Sequence, residues 1–331
     1  MVHIRVDVNN IIGTGHIFRC ISIAEALREL GEDVTFVMAD NNGVSLLEGR
    51  FPYIILDTDW RDMNSELAIL RDILVQENAK KLIIDSYQVT ENYLSEIRKY
   101  VKTIYIDDVN AFYYDVDELI CYANYYRNNK YEERYFKTKL LLGCNYVPLR
   151  KEFRNVPDKV IKPDIDELLI MSGGTDSYNF IGNILENIDS SQYKKVNAIC
   201  GRYNASYDVL YKKYNGTNVN IVRSTDNIID YMLSADIAIS ASGVTLYELC
   251  ACGTPTLSYV MADNQIDNAI QFDKDGIIPY MGDIRNDNVV SNILKSISSY
   301  NEERRYEWCL NMKKYVDKNG ALNIAKEIIK L

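Results

Sequence analysis

Apolar positions along the chain follow two patterns that alternate from end to end. Short runs rich in β-branched residues read as strands: "HIRVDV" (3–8), "DVTFVM" (33–38), "YIIL" (53–56), "KLIID" (81–85), "KTIYID" (102–107) and "ELIC" (118–121). Segments of helical spacing lie between them. In 16–30, Ile17, Cys20, Ile23, Ala24, Leu27 and Leu30 recur at three- and four-residue steps, one apolar stripe along a helix. This alternation predicts a parallel sheet with helices on both faces. At 148–165, "PLRKEFRNVPDKVIKPDI" loses the periodicity and holds three of the six prolines, which predicts a linker. Strands then restart at "DELLIMS" (166–172), "KVNAIC" (195–200), "VNIVR" (219–223), "ADIAIS" (235–240) and "TPTLSYV" (254–260). The expected fold class is α/β, two Rossmann-like doubly wound domains facing a cleft. Residues 1–150 form the first and 151–331 the second, with helices beyond 285 free to cross back and brace the first. Ligands of such sheets bind beyond the carboxyl ends of the strands.

Composition narrows the classes of partner. Hydrophobic residues are 47% and charged residues 25% of 331, enough for two sizeable cores. A formal net charge of −10 disfavours non-specific contact with nucleic acid or an anionic membrane, so a phosphate-bearing ligand needs local devices. Neither nucleic acid nor membrane is expected as a partner. "MVHIRVDVNN" enters a strand without a signal-like apolar region, and no apolar run reaches transmembrane length, so a cytoplasmic location is expected. Seven scattered cysteines, no C-x-x-C pair and two histidines predict buried reduced thiols in place of a zinc cage. Asp57-Thr58-Asp59 matches a D-x-D metal motif in form but reads as a polar loop. No metal and no cofactor is expected. The 26 tyrosines, mixed with Asn and Lys, read as compositional bias and not as a stacking platform.

Three stretches carry candidate chemistry. In "IIGTGHIFRC" (11–20), Gly13 and Gly15 follow the first strand, but Phe18 stands where a dinucleotide fingerprint needs its third glycine. The turn instead sets His16 at the start of a helix, where the free N–H groups disfavour an imidazolium and suit a base or hydrogen-bond acceptor. A capping or packing histidine is the plainer alternative. Arg19, one turn on, either anchors a phosphate or pairs with an acid. In "LLIMSGGTDSYN", Gly173, Gly174 and Thr175 lie between a strand and a helix, a geometry that cradles phosphate. Asp176 or Ser177 can cap the same helix. In "DIAISASGVTLYELCACGTP" (236–255), Gly243 and Thr245 suit a phosphate at a helix N-terminus, and Glu248 suits the hydroxyls of a ribose. Asp263, Asn264 and Gln265 follow the next strand and either face the same cleft or cap a helix.

Taken in order, "IGTGHIFRC", "IIDSYQVT" (83–90), "IDD" (106–108), "SGGTD" (172–176), "SASGVTLYE" (240–248) and "ADNQ" (262–265) resemble the UDP-sugar hydrolases of pseudaminic acid biosynthesis, the PseG/SpsG-like family. That family is itself similar to MurG-type glycosyltransferases of the GT-B fold. The resemblance runs from residue 3 to about 270. It implies hydrolysis of UDP-2,4-diacetamido-2,4,6-trideoxy-β-L-altropyranose to UDP and the free sugar. It implies His16 as the group that activates water, Asn264 and Tyr87 at the nucleotide-sugar site, and Glu248 on the ribose. Gly174 and Thr175 would lie against the diphosphate, and Gly13, Gly15, Arg19, Gly173, Ser242, Gly243, Thr245, Asp263 and Gln265 complete the implied substrate- and UDP-binding set. Ser242 departs from the family, which commonly has glycine there.

The mechanism this implies is attack of water on the anomeric carbon, with His16 taking its proton and helix N-terminal amides stabilising the departing diphosphate. A GT-B glycosyltransferase with a UDP-sugar donor is the nearest alternative. A noncatalytic nucleotide-sugar-binding module is the next, and an NAD dehydrogenase is disfavoured by Phe18.

Overall fold

The structure, a computed structural model, describes every residue except Asn10, Tyr203, Ser224 and Asp226. Thirteen strands form among the described residues. In the first unit they are β1 Val2–Val6, β2 Val34–Met38, β3 Tyr53–Ile55, β4 Lys81–Asp85, β5 Lys102–Ile106, β6 Glu118–Cys121 and β7 Lys139–Leu142. In the second they are β8 Glu167–Met171, β9 Lys195–Cys200, β10 Val219–Arg223, β11 Ile237–Ala241, β12 Thr256–Val260 and β13 Tyr280–Asp283. All eleven strands read from the sequence are present. The two that the pattern missed, β7 and β13, are the four-residue edge strands.

The first sheet runs β3-β2-β1-β4-β5-β6-β7 and the second β10-β9-β8-β11-β12-β13, every pair parallel. β1, β2, β11 and β12 are buried along their whole length, as strands covered on both faces must be. In each sheet the strand order reverses once, between β1 and β4 and between β8 and β11. A crevice opens at such a reversal because the two loops leave the sheet in opposite directions.

Residues 1–154 and 318–331 make up the first compact unit and 155–317 the second. The division thus falls four residues beyond the expected boundary, and the last helix, Gly320–Lys330, belongs to the first unit. Lys81 and Lys139 donate to the carbonyls of Ile329 and Glu327, covering that helix's C-terminal end with positive charge. The stretch expected to be a linker divides at 154/155, and its later part is fastened within the second unit. Lys159 buries its ammonium in the carbonyls of Met232, Leu233 and Ala235, and Arg305 donates to those of Lys162 and Pro163. Lys159, a charge within this segment, thus satisfies buried carbonyls.

Four of the 26 tyrosines have a structural role that composition alone does not show. Tyr114 and Tyr131 donate their hydroxyls to the two oxygens of Asp107 at 2.9 and 2.5 Å. Tyr105 and Tyr135 pack on Tyr114, with ring centroids 4.7 and 6.4 Å away. These four rings are buried, and they fix the loop that leaves β5. Six of the seven cysteines are buried, and no helix among the described residues is long and apolar enough to cross a membrane.

His3, in β1, is fully buried and neither ring nitrogen has a partner. Burial holds its pKa below the ordinary value, so the folded chain resists a proton that the unfolded chain accepts. Stability is therefore flat at high pH and falls as pH drops through about 6.5. Between pH 7.5 and 5.5 urea unfolding should show a loss of up to about 1.4 kcal/mol from this group. His3→Leu should remove that part of the slope; an unchanged slope would show that His3 is not its source.

Candidate functional site

In the first unit the crevice between β1 and β4 receives one loop from each strand. After β1, Asn9 closes a tight turn, its side chain accepting from the N–H groups of Ile11 and Ile12 and its carbonyl from Gly13. Gly13 takes φ +76°, a conformation that side chains disfavour, and the helix Gly15–Glu29 starts two residues later. No side chain caps this helix and no acid lies in its first turn. No atom lies within 4 Å of where a Cβ on Gly13 or Gly15 would sit, so both glycines border open space.

His16, in the first turn, reaches the end of β4. Its Nδ1 lies 2.7 Å from Oδ1 of Asp85, the last residue of that strand. Asp85 is buried, and burial acts against its charge. Arg19 and then His16 outweigh burial and hold the carboxylate well below the usual range. Arg19 Nη2 also lies 3.1 Å from Nδ1, but the shorter contact is to Asp85, which when ionised can only accept; in the neutral ring this puts the proton on Nδ1 and the lone pair on Nε2. That arrangement orients a general base.

Arg19 completes the group. Its Nε donates to Asp85 Oδ2 at 2.5 Å, a second donor meets Oδ1, and Nη1 donates to the Tyr122 hydroxyl at 2.7 Å. Its side chain is 10% exposed. Of the two roles open to it, Arg19 shows the pairing with an acid in this structure. Tyr87, two residues beyond Asp85, stands edge-on to His16 with ring centroids 5.1 Å apart, and its hydroxyl donates to Asp108. Asp108 is pushed above the ordinary carboxylate range by burial, against the pull of Arg19 and Tyr87.

In the second unit the crevice lies between β8 and β11. Gly173, Gly174 and Thr175 are exposed directly after β8, with Gly173 at φ +79°. The next helix does not begin there. It begins at Phe180, and Asp176 caps it by accepting from the N–H groups of Phe180 at 2.7 Å and Ile181 at 3.2 Å. An anion at 173–175 therefore meets the loop's own amides and not that helix's end. Ser172, just before the glycines, has a buried hydroxyl without a partner. Gly201, after β9, backs the loop so closely that a Cβ there would fall 2.1 Å from the Gly173 carbonyl oxygen and 2.4 Å from that of Gly174.

After β11, Ser242 gives its hydroxyl to the Tyr259 carbonyl at 2.8 Å and is buried, so it braces the loop. Its carbonyl accepts from Asn268, whose side-chain oxygen accepts from Tyr247 at 2.7 Å. Gly243 borders open space, and the helix Thr245–Cys252 starts with no side-chain cap. Thr245 and Glu248 lie on it, both half-buried. Beyond β12, the Gln265 side-chain oxygen accepts from the Met261 N–H and braces the loop. Asp263 is exposed and paired with Arg285 at 2.7 Å, and Asn264 is exposed beside it.

The structure thus brings His16, Arg19 and Tyr87 together in one unit, and Gly173–Thr175 with Gly243–Glu248 at the strand reversal of the other. The sequence reading quoted "IIDSYQVT" without giving Asp85 a role. A carboxylate ending the strand beside β1 was the available signal. Asp108, Tyr122, Gly201 and Asn268 were likewise missed. Asp59 of the D-x-D stretch pairs with Arg61, and no cluster of three or more metal-ligating side chains occurs among the described residues.

Residues 168–328 match the glycosyltransferase family 28 C-terminal domain. A Helicobacter pylori protein described as pseudaminic acid cytidylyltransferase and UDP-2,4-diacetamido-2,4,6-trideoxy-beta-L-altropyranose hydrolase is 26% identical over 324 residues, 96% of this chain. The chain spans about half the length of that protein and of an uncharacterised relative from Methanocaldococcus jannaschii, 54% of each. The spore coat polysaccharide biosynthesis protein SpsG of Bacillus subtilis is 23% identical over 275 residues, 80% of this chain and 78% of SpsG. Among solved structures, Acinetobacter baumannii MurG superimposes with a TM-score of 0.70 at 13% identity, covering 100% of this chain and 99% of MurG. With two doubly wound parallel sheets, this likeness fixes the fold as the two-domain Rossmann-like GT-B architecture.

Proposed function

We propose that the protein is a UDP-sugar-processing enzyme and, more specifically, hydrolyses UDP-2,4-diacetamido-2,4,6-trideoxy-β-L-altropyranose at the anomeric C1–O bond. The observation that carries this reading is the His16–Asp85 pair at the strand reversal of the first unit, 2.7 Å apart. Water's oxygen bonds to C1 while the C1–O bond breaks, and UDP leaves with the bonding electrons. His16 Nε2 takes the water's proton and Asp85 balances the imidazolium that forms. The second unit holds the UDP: Gly173–Thr175 and the uncapped helix at Thr245 offer amides to the diphosphate, and Glu248 takes the ribose hydroxyls. Likeness to the Helicobacter protein over nearly the whole chain supports the same substrate.

The test is UDP release from that sugar nucleotide with no acceptor added, run in 18O-water. The free sugar should carry the label. No release would overturn the proposal, release only with an added acceptor would make the protein a transferase, and label in UDP would place the broken bond at phosphorus. Gly201→Ala gives a separate check on the nucleotide site. Its methyl must displace the 173–174 backbone, so UDP affinity measured by calorimetry should fall by about ten-fold, roughly 1.4 kcal/mol. Affinity within two-fold of wild type would remove that loop from the UDP site.

A further inference from the structure

Tyr87 presents an unusual hydrogen-bonding state to whatever lies beside His16. A tyrosine hydroxyl has one proton and lone pairs that accept. The Tyr87 proton points at Asp108, 2.9 Å from Oδ1 and 3.0 Å from Oδ2. With that proton committed, the oxygen can only accept from a ligand. Burial and then the Asp108 charge also push the Tyr87 pKa up, which keeps the proton on the phenol.

Asp108 is held so that it can do this. Its neighbour Asp107 takes the hydroxyls of Tyr114 and Tyr131 and the N–H of Asn110. The Asp108 carbonyl accepts from the Asn129 side chain at 2.8 Å. Arg19, the cation of this group, already serves Asp85 and Tyr122. The wall formed by Tyr87 and Asp108 therefore offers oxygen lone pairs to a ligand beside the base, and half the Tyr87 side chain is exposed to receive one.

We infer that Asp108 is a specificity-determining positioning residue. By taking the Tyr87 proton it fixes that hydroxyl as an acceptor, and so selects a sugar presenting a hydrogen-bond donor there. For a diacetamido sugar that donor is an amide N–H. An ester oxygen in the same place sets acceptor against acceptor and is rejected. The inference rests on the hydrolase reading and adds to it the chemistry that chooses the sugar.

The experiment compares the diacetamido UDP-sugar with its 2,4-di-O-acetyl counterpart, in which each amide N–H is replaced by an ester oxygen. Turnover (kcat and KM) and binding by calorimetry are measured for wild type, Tyr87→Phe, Asp108→Ala, Asp108→Asn and the Tyr87→Phe/Asp108→Ala double variant. Wild type should prefer the amide by about ten-fold, expressed in KM more than in kcat. Tyr87→Phe and Asp108→Ala should each erase the preference, and the double variant should be no worse than Tyr87→Phe alone. Asp108→Asn keeps an accepting oxygen and should retain part of it. This isosteric variant also carries the test if Asp108→Ala fails to fold. A wild-type preference surviving in Tyr87→Phe or Asp108→Ala, or single losses that multiply in the double variant, would overturn the inference. Amide-selective binding without UDP release would sink the hydrolase reading alone.

Discussion

Asp85→Asn is expected to lower the rate of UDP release by about 10²–10⁴-fold, while UDP affinity stays within about two-fold of wild type. The size follows from what asparagine does to His16. Its amide can donate to Nδ1, which moves the imidazole proton to Nε2 and leaves no lone pair there to accept a proton from water. Arg19 would also lose one of its two bonds to that side chain, and with it the buried counter-charge. His16→Ala should cost a similar factor, and the double variant should be little worse than either single one because the two side chains act as a unit. UDP binding is the control, since the nucleotide is assigned to the other unit. A rate within three-fold of wild type for either variant would take the pair out of the mechanism.

Arg5→Met is expected to destabilise the fold by about 3–5 kcal/mol. Arg5 is fully buried in β1 and makes two bonds of 2.7 Å to Glu66 and an ion pair of 2.7 Å with Asp7. Tyr93 donates to the same Glu66 and the Ala39 N–H to Asp7. Burial already pushes the Asp7 pKa up against the pull of Arg5. Without the guanidinium, two carboxylates are left in the core with no counter-charge, and a proton becomes their cheapest neutraliser. Taking up a proton in the folded state relieves that charge. The loss should accordingly shrink as pH falls, being smaller at pH 5 than at pH 8 in urea unfolding. Glu66→Leu added to Arg5→Met should recover part of the stability. A loss under about 1 kcal/mol at pH 8 would mean that the network is not needed to hold the end of β1, from which the His16 loop departs.

The alternating pattern exposed the fold because eleven of the thirteen strands carry a short run rich in β-branched or other apolar residues. β13 contains Gly282 and an irregular register with β12, so it has no apolar run to show, and β7 is a short strand of four residues, KLLL. The site was legible in part. His16 stood out because it follows a glycine turn at a helix start. Asp85 is 69 residues away, and only the pairing of β1 with β4 brings it alongside. No local spacing marks such a partner. Arg19 shows the same limit: its role depends on which group faces it, and Tyr122 is 103 residues distant. Ser242 and Gln265 sit in loops that do border the strand ends, yet their polar groups are taken by carbonyl and amide partners within the loop framework. Motif position located these loops correctly but did not say which way each side chain turns.

The helix that carries His16 packs against the last helix of the chain, Gly320–Lys330, whose Ala321, Ile324, Ala325 and Ile328 are buried. Gly320 fits there because a Cβ would sit 2.1 Å from the Val147 carbonyl oxygen. During synthesis, then, the first 154 residues emerge long before the segment that closes over them, and residues 155–317 are made in between. The unit that bears the histidine thus begins before residues 155–317 are made and is completed after them, so the His16–Asp85 pair gains its full support only once Gly320–Lys330 has been synthesised.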